Sequence, residues 1–289
     1  MADRNDALVR AMPAVFVLIW STGFIVARYG MPHAPPMKFL ATRYALSVAC
    51  FIVWLIAARV ALPRDRRQLG HLAVTGILMH AGYLGGVWAA VKLGMGAGLA
   101  ALLVGLQPVL TAMWIAGRGG AVEARQWLGL VLGFAGLALV VWDKLGVGEV
   151  SGPNLALALG ALVSITAGTL YQKRFLGPCD VRAANLVQLA AAFAVTVPLA
   201  LLEGEAMRWN GQLLGAMAWS VLGLTLGGSS LLYLLIQRGA ATAVTSLMYL
   251  VPPCTALMAW MLFREPIGFT TLAGMGLAAL GVSLVVRRA

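Results

Sequence analysis

Acidic side chains are scarce, with 10 Asp and Glu against 21 Lys and Arg in 289 residues. Glu265, Asp143, Glu203 and Glu123 all stand at the ends of apolar runs or in joints, and no Asp or Glu occupies the centre of a run. That disfavours a cation-driven pump with a buried carboxylate relay and leaves a facilitator, an exchanger or a histidine-coupled device open. Catalytic motifs are lacking as well: there is no HExxH, no paired carboxylate site and no phosphate-binding glycine loop. Ser229 or Ser230 with His80 supplies the residue types of a serine hydrolase without an activating pattern, so an enzyme is not expected. Cys50, Cys179 and Cys254 have no metal-ligand spacing, and neither metal nor other cofactor is expected.

Charge of either sign is also thin. At 11% charged and 61% hydrophobic residues, with a mean hydropathy of +0.89, the chain has too little polar surface for a water-soluble globule of its size. The apolar runs are continuous instead of alternating, which argues against a membrane β-barrel. The first run continues into further runs without a small-residue cleavage site, so a cleaved signal is not expected. A net charge of +11 could suggest nucleic acid, but the basic residues cluster in the joints, where anionic lipid headgroups and topology rules place them.

Ten spans are expected, at 10 to 30, 38 to 58, 70 to 91, 96 to 117, 125 to 142, 153 to 172, 182 to 202, 211 to 236, 240 to 263 and 267 to 286. Each is near the length that crosses a hydrocarbon core of about 30 Å at about 1.5 Å per residue. Joints on the side of the N-terminus hold 14 Arg and Lys, including the cluster Arg64, Arg66 and Arg67, and the opposite joints hold five. That bias puts both termini in the cytoplasm.

The chain repeats itself. Pro108 and Thr111 return as Pro252 and Thr255 at an offset of 144, and Gly129, Leu132 and Gly136 return as Gly274, Leu277 and Gly281 at an offset of 145. The expected organisation is a first five-helix repeat over 1–142, a linker over 143–152 and a second repeat over 153–289. Five spans per repeat invert the second relative to the first, a pattern common in transporters. The fold class is therefore an all-α membrane protein, ten transmembrane helices in two inverted repeats.

Several polar or strained positions interrupt the apolar runs. Pro108 removes an amide donor and clashes with the carbonyl of Val104, and Pro252 with Pro253 should bend their run in the same way. The kinks either widen a cavity or merely set packing. Gln107 needs a partner within the membrane, from a substrate or from another helix. His80 and Tyr83, three apart, share one helix face. Trp20, Ser229, Ser230, Tyr233 and Tyr249 complete the candidate cavity, the double serine following Gly227 and Gly228. Arg28 and Arg43 sit inside spans near the outer face, where their stems snorkel or their charge attracts a carboxylate at an entrance. A non-transporting scaffold, with these groups as helix contacts alone, is the rival from another class.

Gln107-Pro108-Val109-Leu110-Thr111-Ala112, and Pro252 to Ala259 followed by Phe263-Arg264-Glu265-Pro266, resemble the two repeat signatures of the drug/metabolite transporter superfamily, in its ten-helix EamA-type branch. Trp20-Ser21-Thr22-Gly23-Phe24 and Arg43 add to the match. The resemblance covers essentially the whole chain. It implies an inner-membrane carrier with alternating access, cytoplasmic ends and metabolite or amino-acid export. Glu265 matches the family's glutamate-containing turn, whereas Gly117-Arg118-Gly119-Gly120 lacks the immediate glutamate of its counterpart. The chain looks most like bacterial aromatic amino-acid exporters. The expected partners are the lipid bilayer and a small molecule, an aromatic or other neutral amino acid, with no nucleic acid and no obligate protein partner. Multidrug or other small-metabolite efflux is the nearer alternative.

Overall fold

The computed structural model describes residues 2–119, 123–146, 148–228, 231 and 250–286. Among them there is no strand. The helices in chain order are α1 (Ala2–Gly30), α2 (Pro36–Ala57), α3 (Arg66–Gly76), α4 (Tyr83–Lys92), α5 (Ala97–Gly105), α6 (Gln107–Gly117), α7 (Ala124–Gly146), α8 (Gly152–Phe175), α9 (Val181–Leu202), α10 (Gly211–Ala218), α11 (Val251–Phe263) and α12 (Phe269–Val286). A π-helical stretch, Ile77–Gly82, joins α3 to α4, and a second, Trp219–Gly228, continues α10. Among the described residues six helical spans are long and apolar enough to cross a membrane, Arg66–Lys92 and Ala97–Trp114 each counting as one. Ala14–Gly30, Val251–Phe263 and Phe269–Val285 are shorter apolar helices.

Contacts gather the chain into two compact units, each drawing on both halves of the sequence. Unit 1 comprises Met1–Ile25, Gly96–Glu149 and Gly223–Ala289; unit 2 comprises Val26–Met95 and Val150–Leu222.

In unit 1 the dominant packing is α7 on α12, and glycine makes it possible. A Cβ built on Gly129 would stand 2.5 Å from the carbonyl oxygen of Gly281, and one on Gly274 would stand 2.6 Å from that of Gly136. No side chain fits between backbones that close, which is how small residues bring membrane helices together. Alongside, α5 packs on α11, with Gly98 against Ala256 and Gly105 against Pro252.

In unit 2, α2 lies on α9, while the α3–α4 span packs on α8 and α9. Trp88, Tyr44, Phe39 and Phe51 are fully buried. Phe39 and Trp88 stack with ring centroids 4.4 Å apart, over a Gly30 that leaves room for them. Gly76 meets the Gln188 backbone of α9, and Gly86 meets Leu157 and Ala161 of α8. Close approach on two sides fixes the α3–α4 span, and with it the residues of the π-helical stretch.

Candidate functional site

The wide turn Ile77–Gly82 is where unit 2 places its polar chemistry. A π-helical stretch displaces carbonyls from the ordinary ladder, and such stretches survive where neighbouring groups take up the freed acceptors. Here two hydroxyls do so. Tyr44 donates to the His80 carbonyl at 2.9 Å, and Ser164 donates to the Leu78 carbonyl at 2.8 Å. The Tyr44 ring also meets the His80 imidazole edge-on, with centroids 6.2 Å apart.

Around His80 gather Arg43, Tyr44, Tyr83 and Gln188. Gln188 on α9 hydrogen-bonds to the His80 side chain. The Arg43 guanidinium acts electrostatically on Tyr44, Tyr83 and His80. Arg43 is 7% exposed, Tyr83 6% and Tyr44 0%. The result is a cationic fork beside two phenols, an imidazole and an amide, about seven residues, or roughly 10 Å, inside the N-terminal end of α2. Such a set can bind a carboxylate bidentately through the guanidinium and face an apolar or aromatic group with its rings.

The structure thus brings together His80, Tyr83 and Arg43 of the residues singled out from sequence, and adds Tyr44 and Gln188. The sequence places Arg43 near the outer face with a stem that can snorkel, whereas its side chain is buried, within electrostatic reach of Tyr44 and Tyr83. Arg28, also in unit 2, is half-buried in the last turn of α1.

Trp20 and Gln107 belong to unit 1. Trp20 is half-buried with its ring 5.5 Å from Phe16. Gln107 opens α6 and its carbonyl accepts from the Thr111 hydroxyl at 2.9 Å. Near Pro108 the run breaks at Leu106, whose amide bonds to Leu103, three residues back, at 3.2 Å. Pro252 and Pro253 lie in the first turn of α11, and residues 232–249 before them lie outside the described residues. Ser229, Ser230, Tyr233 and Tyr249 lie outside the described residues. Among those described, no group of three or more His, Cys, Asp or Glu is placed to hold a metal ion.

Comparison with known proteins gives a consistent result. The model of the EamA-like transporter family matches the chain twice, over residues 11–142 and 153–287. The chain is 25% identical over 98% of its length to a protein of Escherichia coli K12 described as the uncharacterized inner membrane transporter YedA, covering 92% of it. It is 23% identical to the uncharacterized transporter YvbV of Bacillus subtilis, over 94% of this chain and 89% of that one. A probable amino-acid metabolite efflux pump of Escherichia coli K12 is 25% identical over 60% of this chain and 55% of its own. One solved crystal structure superposes with a TM-score of 0.65 at 18% identity, covering 97% of this chain and 96% of that one, a likeness of fold alone.

Proposed function

We propose a function from one premise: the chain belongs to the EamA-like transporter family. It is a multi-pass membrane transporter, and its proposed cargo is an aromatic or other neutral amino acid, exported across the inner membrane by alternating access. Two relatives support parts of that reading: YedA is described as an inner membrane transporter, and the partly matching efflux pump as one for amino-acid metabolites. The proposed architecture is ten helices in two inverted five-helix repeats, 1–142 and 153–289, with both termini cytoplasmic. Two observations support it. The family model matches both stretches. In addition, the contacts Gly129 with Gly281 and Gly136 with Gly274 exchange when Gly129 is replaced by its repeat mate Gly274 and Gly136 by Gly281, as a two-fold relation requires.

The observation that carries the substrate is the buried Arg43 beside Tyr44, Tyr83 and His80. A guanidinium suits a carboxylate. The rings suit an apolar side chain, and the hydrogen-bonding His80 and Gln188 offer an acceptor to an ammonium. The same fork repels a cationic amphiphile, which sets this reading apart from general drug efflux.

Proteoliposomes loaded with labelled phenylalanine test it, beside protein-free vesicles and with or without a proton gradient. Faster release with protein is expected, and a gradient effect reveals coupling. Equal release from both preparations refutes the proposal.

A further inference from the structure

A helix begins with amides that have no partner of their own, and most helices supply one from the residue just before the first turn. Four helices among the described residues do so. Asp65, Ser151, Asp180 and Asn210 accept from the amides of Arg67, Asn154, Arg182 and Leu213 at the starts of α3, α8, α9 and α10. In α2 and α5 the same position holds Pro35 and Gly96, which offer no side-chain acceptor.

Their amides are not left bare. Glu203, at the end of α9, accepts from Met37 at 2.9 Å and Lys38 at 2.8 Å. Glu265 accepts from Ala97 at 3.1 Å and Gly98 at 3.5 Å, while Glu149 accepts from Gly96 at 3.0 Å. Arg264, in the left-handed conformation at φ 56°, turns the chain at the end of α11 so that Glu265 reaches across. Negative charge at a helix N-terminus is favourable, and a carboxylate with amide donors makes the stronger kind of hydrogen bond. Buried Lys144 reinforces the second cap, pairing with Glu149 at 2.8 Å and donating to the Pro266 carbonyl at 3.0 Å.

A cap from a helix's own residue travels with that helix. A cap from 166 or 168 residues away ties two helices together and is lost when they part. Once lost at α2 or α5, only water can replace it, so parting requires water to reach that end. The two helices differ in one respect: α2 is unbroken over 22 residues, whereas α5 is nine residues long and ends at the Leu106 break.

We infer that Glu265, with Glu149 and Lys144, forms a releasable clasp on the start of α5, opened by a swing of α5 about Leu106, while Glu203 holds the start of α2 as a permanent tie. This rests on the alternating-access reading; in the topology proposed above the clasp lies at the end away from the cytoplasm and closes it.

The test uses the full chain in lipid nanodiscs, with hydrogen–deuterium exchange at residues 97–98 and 37–38. In the unaltered protein the amides of Ala97 and Gly98 should exchange faster than those of Met37 and Lys38. E265A should speed exchange at 97–98 by about tenfold, and E265Q, which keeps one acceptor, by about threefold. E203A should act only at 37–38. Opening is tested by a lock. A Cβ on Gly98 would stand 3.3 Å from that of Ala256, close to the Cβ separation of about 3.5–4.5 Å in a disulfide. With Cys50, Cys179 and Cys254 replaced, oxidised G98C/A256C should exchange at 99–104 at least about fivefold more slowly than the reduced form. Flux should stop on oxidation and return on reduction. Unchanged exchange in both E265A and E265Q, or equal exchange in oxidised and reduced G98C/A256C, overturns the clasp. Absence of amino-acid flux in the unaltered protein would instead overturn the substrate reading, with the exchange measurements still deciding the clasp.

Discussion

Gly129 and Gly281 touch backbone to backbone: a Cβ on either would stand 2.5 Å from the other's carbonyl oxygen. G129A and G281A should therefore each lower stability by about 1–3 kcal/mol through overpacking. Gly276, on the same helix as Gly281 but facing open space, is the control. G276A should be neutral or stabilise by up to about 1 kcal/mol, since alanine is the better helix former. Thermal unfolding in detergent reads all three.

The π-helical stretch that carries His80 depends on two hydroxyls from other helices, Tyr44 and Ser164. Y44F keeps the ring and removes the donor, leaving a carbonyl to lose about 1–2 kcal/mol. S164A should act similarly at Leu78. Both should also slow amino-acid efflux in proteoliposomes, because the turn that aims His80 relaxes. A variant with lowered melting temperature and undiminished flux would separate the turn from the site.

Gly177 and Gly204 flank α9; a Cβ at Gly204 meets nothing within 4 Å, and one at Gly177 meets only Gln68 Oε1, at 3.9 Å. With the native cysteines replaced, G177C and G204C should be labelled by a membrane-impermeant thiol reagent from opposite sides, G177C from the cytoplasm and G204C from outside. Labelling of both from one side contradicts the proposed topology.

Asp180 caps α9, and its hydrogen bond from the Arg182 side chain, reinforced by backbone amides, holds its carboxyl below the usual range. A carboxyl held low stabilises the fold above its unfolded value of about 3.9, and the contribution is lost as pH falls through the folded value. Melting temperatures of the unaltered protein and of D180N should thus differ by a constant amount between about pH 8 and 5 and converge below about 4. Glu205, held low by Lys92, should leave its end of unit 2 equally indifferent to mild acid.

Much of this was legible in the residues themselves. The apolar runs announced helices because a bilayer permits little else, and Pro108 announced a break because its ring excludes a carbonyl two residues from where the run in fact parts. Gln188 is an in-span amide like Gln107, and Tyr44 stands next to Arg43, so each is visible in the sequence as a polar group within an apolar run. Other features depend on partners distant in sequence. Pro35 and Gly96 can be read as poor caps, but nothing local names Glu203 or Glu265 as the replacement. The π-helical stretch is likewise set by hydroxyls from α2 and α8, and Arg43 is buried by packing that only folding assembles.

The most direct measurement compares efflux of phenylalanine with efflux of phenethylamine, which lacks the carboxylate, from proteoliposomes holding the unaltered chain or R43K. The account predicts fast phenylalanine release and little of the amine, with R43K, which keeps the charge but loses the fork, slowing phenylalanine by about tenfold or more. Equal release of acid and amine, or phenylalanine efflux indifferent to R43K, would contradict it.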